Sequence, residues 1–123
     1  MASEEFGIIV KAKELAEHTL RLTSNCNRYP KKWRFSLVDK MQNRALNIYE
    51  YAYEANRTDL RMYRRERLEL QTKVITSCDI LLFYIELSNK LGIISVHSME
   101  YWTKMVSRLK FDAIAWRSKD KER

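Results

Sequence analysis

The sequence predicts an all-α protein, an up-down-up-down antiparallel four-helix bundle, and three observations carry that prediction. With two glycines and one proline in 123 residues, the chain lacks the turn formers that an all-β fold needs at its many reversals. Alanine, leucine, lysine, arginine and glutamate are abundant, which favours helix. Apolar residues recur at spacings of three and four through four stretches, and the short connections between them make sequence neighbours antiparallel. The length suits one domain, residues 1–123, with its own core. No repeat of fixed period points to a solenoid instead.

The first helix is expected over about 3–24. Ser3 can cap it, with Glu4 and Glu5 in a first turn that favours carboxylates. Ile8, Ala12, Leu15, Thr19 and Leu22 form its stripe, widened by Ile9, Ala16 and Leu20. The stretch TSNCNRYPKKWRF then breaks the pattern: Pro30 disfavours helix at Tyr29, and Asn25 and Asn27 favour turns.

The second helix is expected over about 33–56. Its stripe is Leu37, Met41, Arg44 or Ala45, Ile48, Ala52 and Ala55, and Val38, Leu46, Tyr49 and Tyr53 add a second apolar strip. A helix apolar on more than one side needs more than one neighbour. The third, about 59–91, is capped by Thr58 or Asp59 and carries the stripe Leu60, Tyr63, Arg67, Leu70, Val74, Cys78, Leu81 and Ile85. Gly92 is placed to take the left-handed position that ends it. The fourth, about 96–117, is capped by Ser95 or Ser98. Its Met99, Trp102, Val106, Leu109, Ala113 and Trp116 follow the 3-4-3-4-3 spacing of bundle packing. The tail SKDKER is expected to fray.

The net charge is +7. Residues 1–27 hold Lys11, Lys13 and Arg21 against Glu4, Glu5, Glu14 and Glu17, a net −1, so the remainder carries +8. Such an excess speaks to polyanion affinity and not to fold. It gathers in three clusters: Arg28, Lys31, Lys32 and Arg34; Arg57, Arg61, Arg64, Arg65 and Arg67; and Arg117, Lys119, Lys121 and Arg123. In an up-down bundle the second and third share one pole and the first lies at the other. At 100° per residue Arg57, Arg61, Arg64 and Arg65 share a broad face, while Arg67 falls on the apolar stripe. Arg67 is expected to pair with Glu50 or Glu54, or to cross a subunit interface. Guanidinium forks match phosphate oxygens bidentately. The competing reading is a solvated face with Glu66 and Glu69 as local partners.

Aromatic residues interleave the first cluster. Phe35 is expected to staple the helix entrance to the bundle, and Trp33 is open to that role or to base stacking. Tyr49, Tyr51 and Tyr53 fan around the second helix, a pattern suited to an oligomer or partner surface and equally to plain surface tyrosine.

Catalysis has no visible constellation. His18 and His97 each lack a glutamate three residues earlier, so the Glu-x-x-His signature of di-iron bundles is missing. His18 is read as a surface or interface residue. No Cys/His metal spacing, phosphate-binding glycine loop or base for a Cys78 nucleophile can be assigned. No metal or cofactor is expected. Cys26 and Cys78 are read as ordinary reduced thiols, Cys78 in the core. No apolar run approaches a membrane span and no basic leader precedes one, so no membrane contact and a cytoplasmic location are expected.

Two stretches carry a family resemblance. ELSNKLGIISVHSMEYWTKMVSRLK resembles the last helical turn of small bacterial four-helix-bundle proteins, an apolar helix ending in Leu-Gly-x-x-Ser before an amphipathic helix. FSLVDKMQNRALNIYEYAYEAN resembles their second helix. The family includes proteins encoded in intervening sequences of ribosomal RNA genes and the accessory variability determinant (Avd) of diversity-generating retroelements. The segment RALNIYEYAYEAN has neither proline nor glycine, unlike the intervening-sequence branch, so the chain is more similar to Avd. The resemblance implies a basic homopentamer without a catalytic site that associates with a reverse transcriptase and template RNA, or an RNA–DNA intermediate, and supports mutagenic copying. The alternatives are a structural or protein-interaction oligomer with no nucleic-acid ligand, or a DNA-binding accessory of a mobile element.

Overall fold

The computed structural model describes the backbone of residues 3–123 and the side chains of residues 7–123. The expected Ser3 cap and the Glu4 and Glu5 side chains lie outside that description. The described residues form four α-helices and no strand: α1 (Ser3–Thr23), α2 (Asp39–Arg57), α3 (Arg64–Lys90) and α4 (Val96–Glu122). They pack as a four-helix bundle in which α1 touches α2 and α4, and α3 touches α2 and α4.

The stripes meet in one core. Ile8, Ala12 and Leu15 of α1, Met41, Ala45, Ile48, Ala52 and Ala55 of α2, Val74, Cys78, Leu81 and Ile85 of α3, and Trp102, Val106, Leu109 and Ala113 of α4 are all fully buried. Each large aliphatic among them contributes about 1.5–3 kcal/mol. Polar pairs cross the seams. Lys11 meets Asp112, and the Trp102 indole donates to Thr19 Oγ1 at 3.2 Å. Arg44 reaches Ser77 Oγ, and Lys110 pairs with Asp79 at 2.7 Å.

The turn at Gly92 closes as its sequence predicts. Gly92 has φ 76°, Ile93 N donates to Ser88 O at 2.8 Å and Gly92 N to Asn89 O at 2.9 Å. Those are the two bonds of a Schellman motif. Ser95 caps α4 by accepting from Ser98 N at 3.0 Å.

Elsewhere the elements depart from expectation. The approach to α2 is not simple α-helix. Lys31–Trp33 forms a 3₁₀ turn and Arg34–Val38 a π-helical turn before Asp39 opens the regular helix. Phe35 does not staple this segment; it is 81% exposed, and Tyr29 is the buried anchor instead, donating from its hydroxyl to Ser88 Oγ at 2.8 Å. Trp33 packs half-buried against the core. Leu22 is only partly buried, and Thr23 is buried beside it, its hydroxyl donating to Thr19 O at 2.7 Å.

The third helix begins at Arg64, not near residue 59. Neither Thr58 nor Asp59 caps it. The Thr58 hydroxyl turns back to Glu54 O at 2.7 Å, and Asp59 Oδ1 accepts from the backbone of Arg61 and Met62, holding 58–63 as a turn. Leu60 and Tyr63 therefore leave the stripe, Leu70 is only half-buried, and Gln71 is fully buried. The tail does not fray: α4 runs to Glu122, and Asp120 within it is fully buried.

Candidate nucleic-acid interface

Two ends of the bundle carry the basic clusters. At the first, α2 stops where Thr58 turns extended, and the Asp59 carboxylate organises the turn that follows. Arg61 thus projects from a turn and not from a helix face, so its expected shared face with Arg57, Arg64 and Arg65 does not form. Arg57 lies over the Tyr53 ring, 5.9 Å from its centroid. Arg64 donates to the backbone carbonyl of Lys121, fifty-seven residues on. That contact brings the second and third clusters together. Leu60, Arg61, Arg64 and Arg123 line a hollow of about 630 Å³ between them.

Not every residue of these clusters faces solvent. Arg65 pairs with Glu69 at 3.2 Å on an open helix face, an arrangement worth little on its own. Arg117 is half-buried and donates to Leu68 O at 3.2 Å. Lys119 is exposed. Arg61 makes no ion pair within 4.0 Å among the described residues.

Arg67 neither meets Glu50 or Glu54, both exposed, nor presents itself on the surface for a subunit contact. Its side chain is 8% exposed and its Nε lies 2.7 Å from Asp120 Oδ2. Its Nη1 reaches the carbonyls of Thr58 and Ala55 at 3.0 and 3.3 Å, and the guanidinium lies over Trp116. Gln71 Nε2 donates to the same Asp120 oxygen at 2.6 Å. One arginine therefore ties the end of α2, the turn and the end of α4 into one body, beneath the exposed arginines. Asp120 and Gln71 were readable only as stripe positions: each lies four residues beyond a buried partner, Trp116 and Arg67, but each is polar.

The first cluster lies where α1 ends and α2 begins, a helix length away, about 28 Å for nineteen residues. Arg28, Lys31, Lys32 and Arg34 are all exposed. Lys32 sits over the Trp33 ring at 5.3 Å, and Lys31 and Arg34 border a hollow of about 210 Å³ with Cys26 and Gln42. Of the three tyrosines on α2, Tyr49 and Tyr51 are half-buried and Tyr53 is 43% exposed. Tyr49 and Tyr53 rings lie 5.9 Å apart, and Lys73 covers Tyr51.

No family model matches this chain, and neither a curated protein nor a solved structure matches it. The site therefore stands on its own chemistry. Among the described residues no group of His, Cys, Asp or Glu is gathered as a metal site, and no helix is long and apolar enough to cross a membrane. Burial lowers the His18 imidazole from its ordinary value, and pushes the Cys78 thiol and the Tyr29 phenol up to about 12 each. His18 lies edge-on to Trp102 and beside Tyr101, at 5.5 and 5.4 Å, partly buried.

Proposed function

We infer that this chain is a non-enzymatic, cytoplasmic accessory protein of the Avd type. It binds structured RNA, or an RNA–DNA intermediate, through its basic ends and holds it beside a reverse transcriptase. The observation that carries this reading is the hollow framed by Arg61, Arg64 and Arg123. Cations distant in sequence converge there on a concave surface, a geometry suited to phosphate oxygens. The support beneath it suits the role, because the buried Arg67–Asp120 pair holds both basic segments in place.

The helix order proposed is up-down-up-down and antiparallel. Partners that run in opposite senses support it: Lys11 with Asp112 and Thr19 with Trp102 between α1 and α4, Arg67 with Asp120 and Asp79 with Lys110 between α3 and α4. A homopentamer, with Tyr49, Tyr51 and Tyr53 near its contacts, follows from the family resemblance. A ring would repeat each basic hollow about an axis, so modest contacts would add through multivalency.

The test is a titration against structured RNA, duplex DNA and single-stranded DNA at two salt concentrations, with mass measured in the same buffer. Arg61, Arg64 and Arg65 changed together to Glu should weaken RNA binding steeply and leave helical content intact. The salt dependence should flatten by about one log–log unit per lost contact. Unchanged affinity would make these arginines a solvated face. The reading as an oligomer without a nucleic-acid ligand would then lead, and the Arg65–Glu69 pair already favours it for that one residue.

A further inference from the structure

A second concave surface lies between α1 and α4. The end of α1, the connection after it and the start of α4 enclose a groove of about 630 Å³, within the range of small-ligand sites. His18 and Arg21 come from α1, Arg28 from the connection, and His97, Ser98 and Tyr101 from α4. The chemistry is mixed in a specific way. Arg28 is exposed and makes no ion pair within 4.0 Å among the described residues. Arg21 is held by Glu17 at 2.8 Å, with its side chain still 77% exposed. Tyr101 is 58% exposed, an aromatic face that no neighbour covers fully. His18 closes the wall beside it, and its Nε2 is buried with no hydrogen-bond partner.

We propose that this groove is a subsite for one unpaired nucleotide, its base stacked on Tyr101 beside His18 and its phosphate held by Arg28 and Arg21. The inference rests on the nucleic-acid reading and deepens it, by adding a place for a single-stranded base to surfaces that otherwise contact only the backbone. Every base has a π-face, so a tyrosine platform flanked by guanidinium groups binds single strands with little regard to sequence. Duplex bases are stacked on one another and cannot enter. The positive end of the α4 dipole opens on the same groove and favours the phosphate. Arg28 lines the groove and stands three residues before Lys31, which with Arg34 borders the hollow of the first basic cluster.

The test uses a short single-stranded RNA carrying one 2-aminopurine, the same sequence as a duplex, and AMP alone. The wild-type protein should quench 2-aminopurine in the single strand. Tyr101→Ala should abolish the quenching and weaken single-strand binding roughly 5- to 100-fold, the usual worth of one stacked base, with duplex affinity unmoved. Tyr101→Phe should restore both, and Arg28→Gln should weaken binding without removing the quenching. AMP should shift the NMR resonances of His18 and Tyr101. If AMP saturates the groove as tightly as the oligonucleotide, the source is a free nucleotide and the strand proposal fails. Quenching that survives Tyr101→Ala overturns the subsite, while RNA binding lost in the Arg61/Arg64/Arg65 variant would leave the broader reading standing. If wild-type protein binds no RNA yet AMP moves His18 and Tyr101, the broader reading fails and the groove remains as a nucleotide site.

Discussion

The guanidinium of Arg67 and the carboxylate of Asp120 meet at 2.7 Å across fifty-three residues of chain, with the carboxylate fully buried. Attraction between buried charges often fails to exceed the cost of removing both from water, but taking the carboxylate away leaves the buried guanidinium without its counter-charge, with the neutral carbonyls of Thr58 and Ala55 still in reach. Asp120→Ala should therefore lower stability by about 3–5 kcal/mol. Arg67→Met combined with Asp120→Leu should recover most of that loss. Urea denaturation of the two variants checks the contrast, and equal losses in both would show that packing and not charge is at stake.

The two cysteines should separate cleanly by reactivity. Cys26 is exposed, while Cys78 is buried and its thiol is pushed up to about 12, first by burial and then by Asp79. A thiol-disulfide reagent at mild alkaline pH should modify Cys26 alone in the native protein and both thiols in denaturant. Two fast native thiols would mean that the centre of α3 opens readily.

Acid should weaken the fold through His18. Burial lowers its imidazole below the ordinary 6.5, so between that value and the lowered one the unfolded chain binds more protons than the native one. The stability that depends on neutral His18 is complete above about pH 6.5 and is lost as pH falls toward the native value. Glu14, Glu17, Arg21 and His97 share its surroundings and set how far that window reaches. Melting temperatures over pH 7.5 to 5 should fall in the wild type, and fall less in His18→Phe (the pH range is about that of the imidazole).

Tyr29 acts at the opposite extreme. Its phenol is pushed up to about 12 by burial, against the partly offsetting bond to Ser88. Its contribution is complete below pH 10 and is lost as pH rises through about 12. Tyr29→Phe should cost about 1 kcal/mol at neutral pH, since Ser88 keeps its 2.9 Å bond to Tyr84 O. The variant should also lose part of the alkaline fall in stability, which denaturation at pH near 7 and near 11 would reveal (both values approximate).

The four stripes were legible because apolar burial has a period, and Ile48, Val74 and Trp102 could hardly lie elsewhere. The Gly92 turn and the Ser95 cap were legible because each asks for a particular residue in a particular backbone state. The start of α3 was not, because Thr58 and Asp59 suit a turn as well as a cap, and here Asp59 serves the turn. Asp120 was misread for a related reason: a charged residue in a charged tail looks solvated until its partner is known. The meeting of the second and third clusters is what an up-down order of helices implies, and the Arg64–Lys121 contact brings them together. The groove at Tyr101 is not so implied, because it needs the connection carrying Arg28 to fold against α4, and no local pattern announces that.

The Arg67–Asp120 pair also sets an order in time. At about 5–20 residues per second, the ribosome adds Asp120 roughly 3 to 10 seconds after Arg67, a delay set by the fifty-three intervening residues. Throughout that interval Arg67 lacks the carboxylate that faces it in the finished fold, while the carbonyls of Thr58 and Ala55 are already made. The contact that ties the start of α3 to the end of α4 therefore cannot form until α4 has been made.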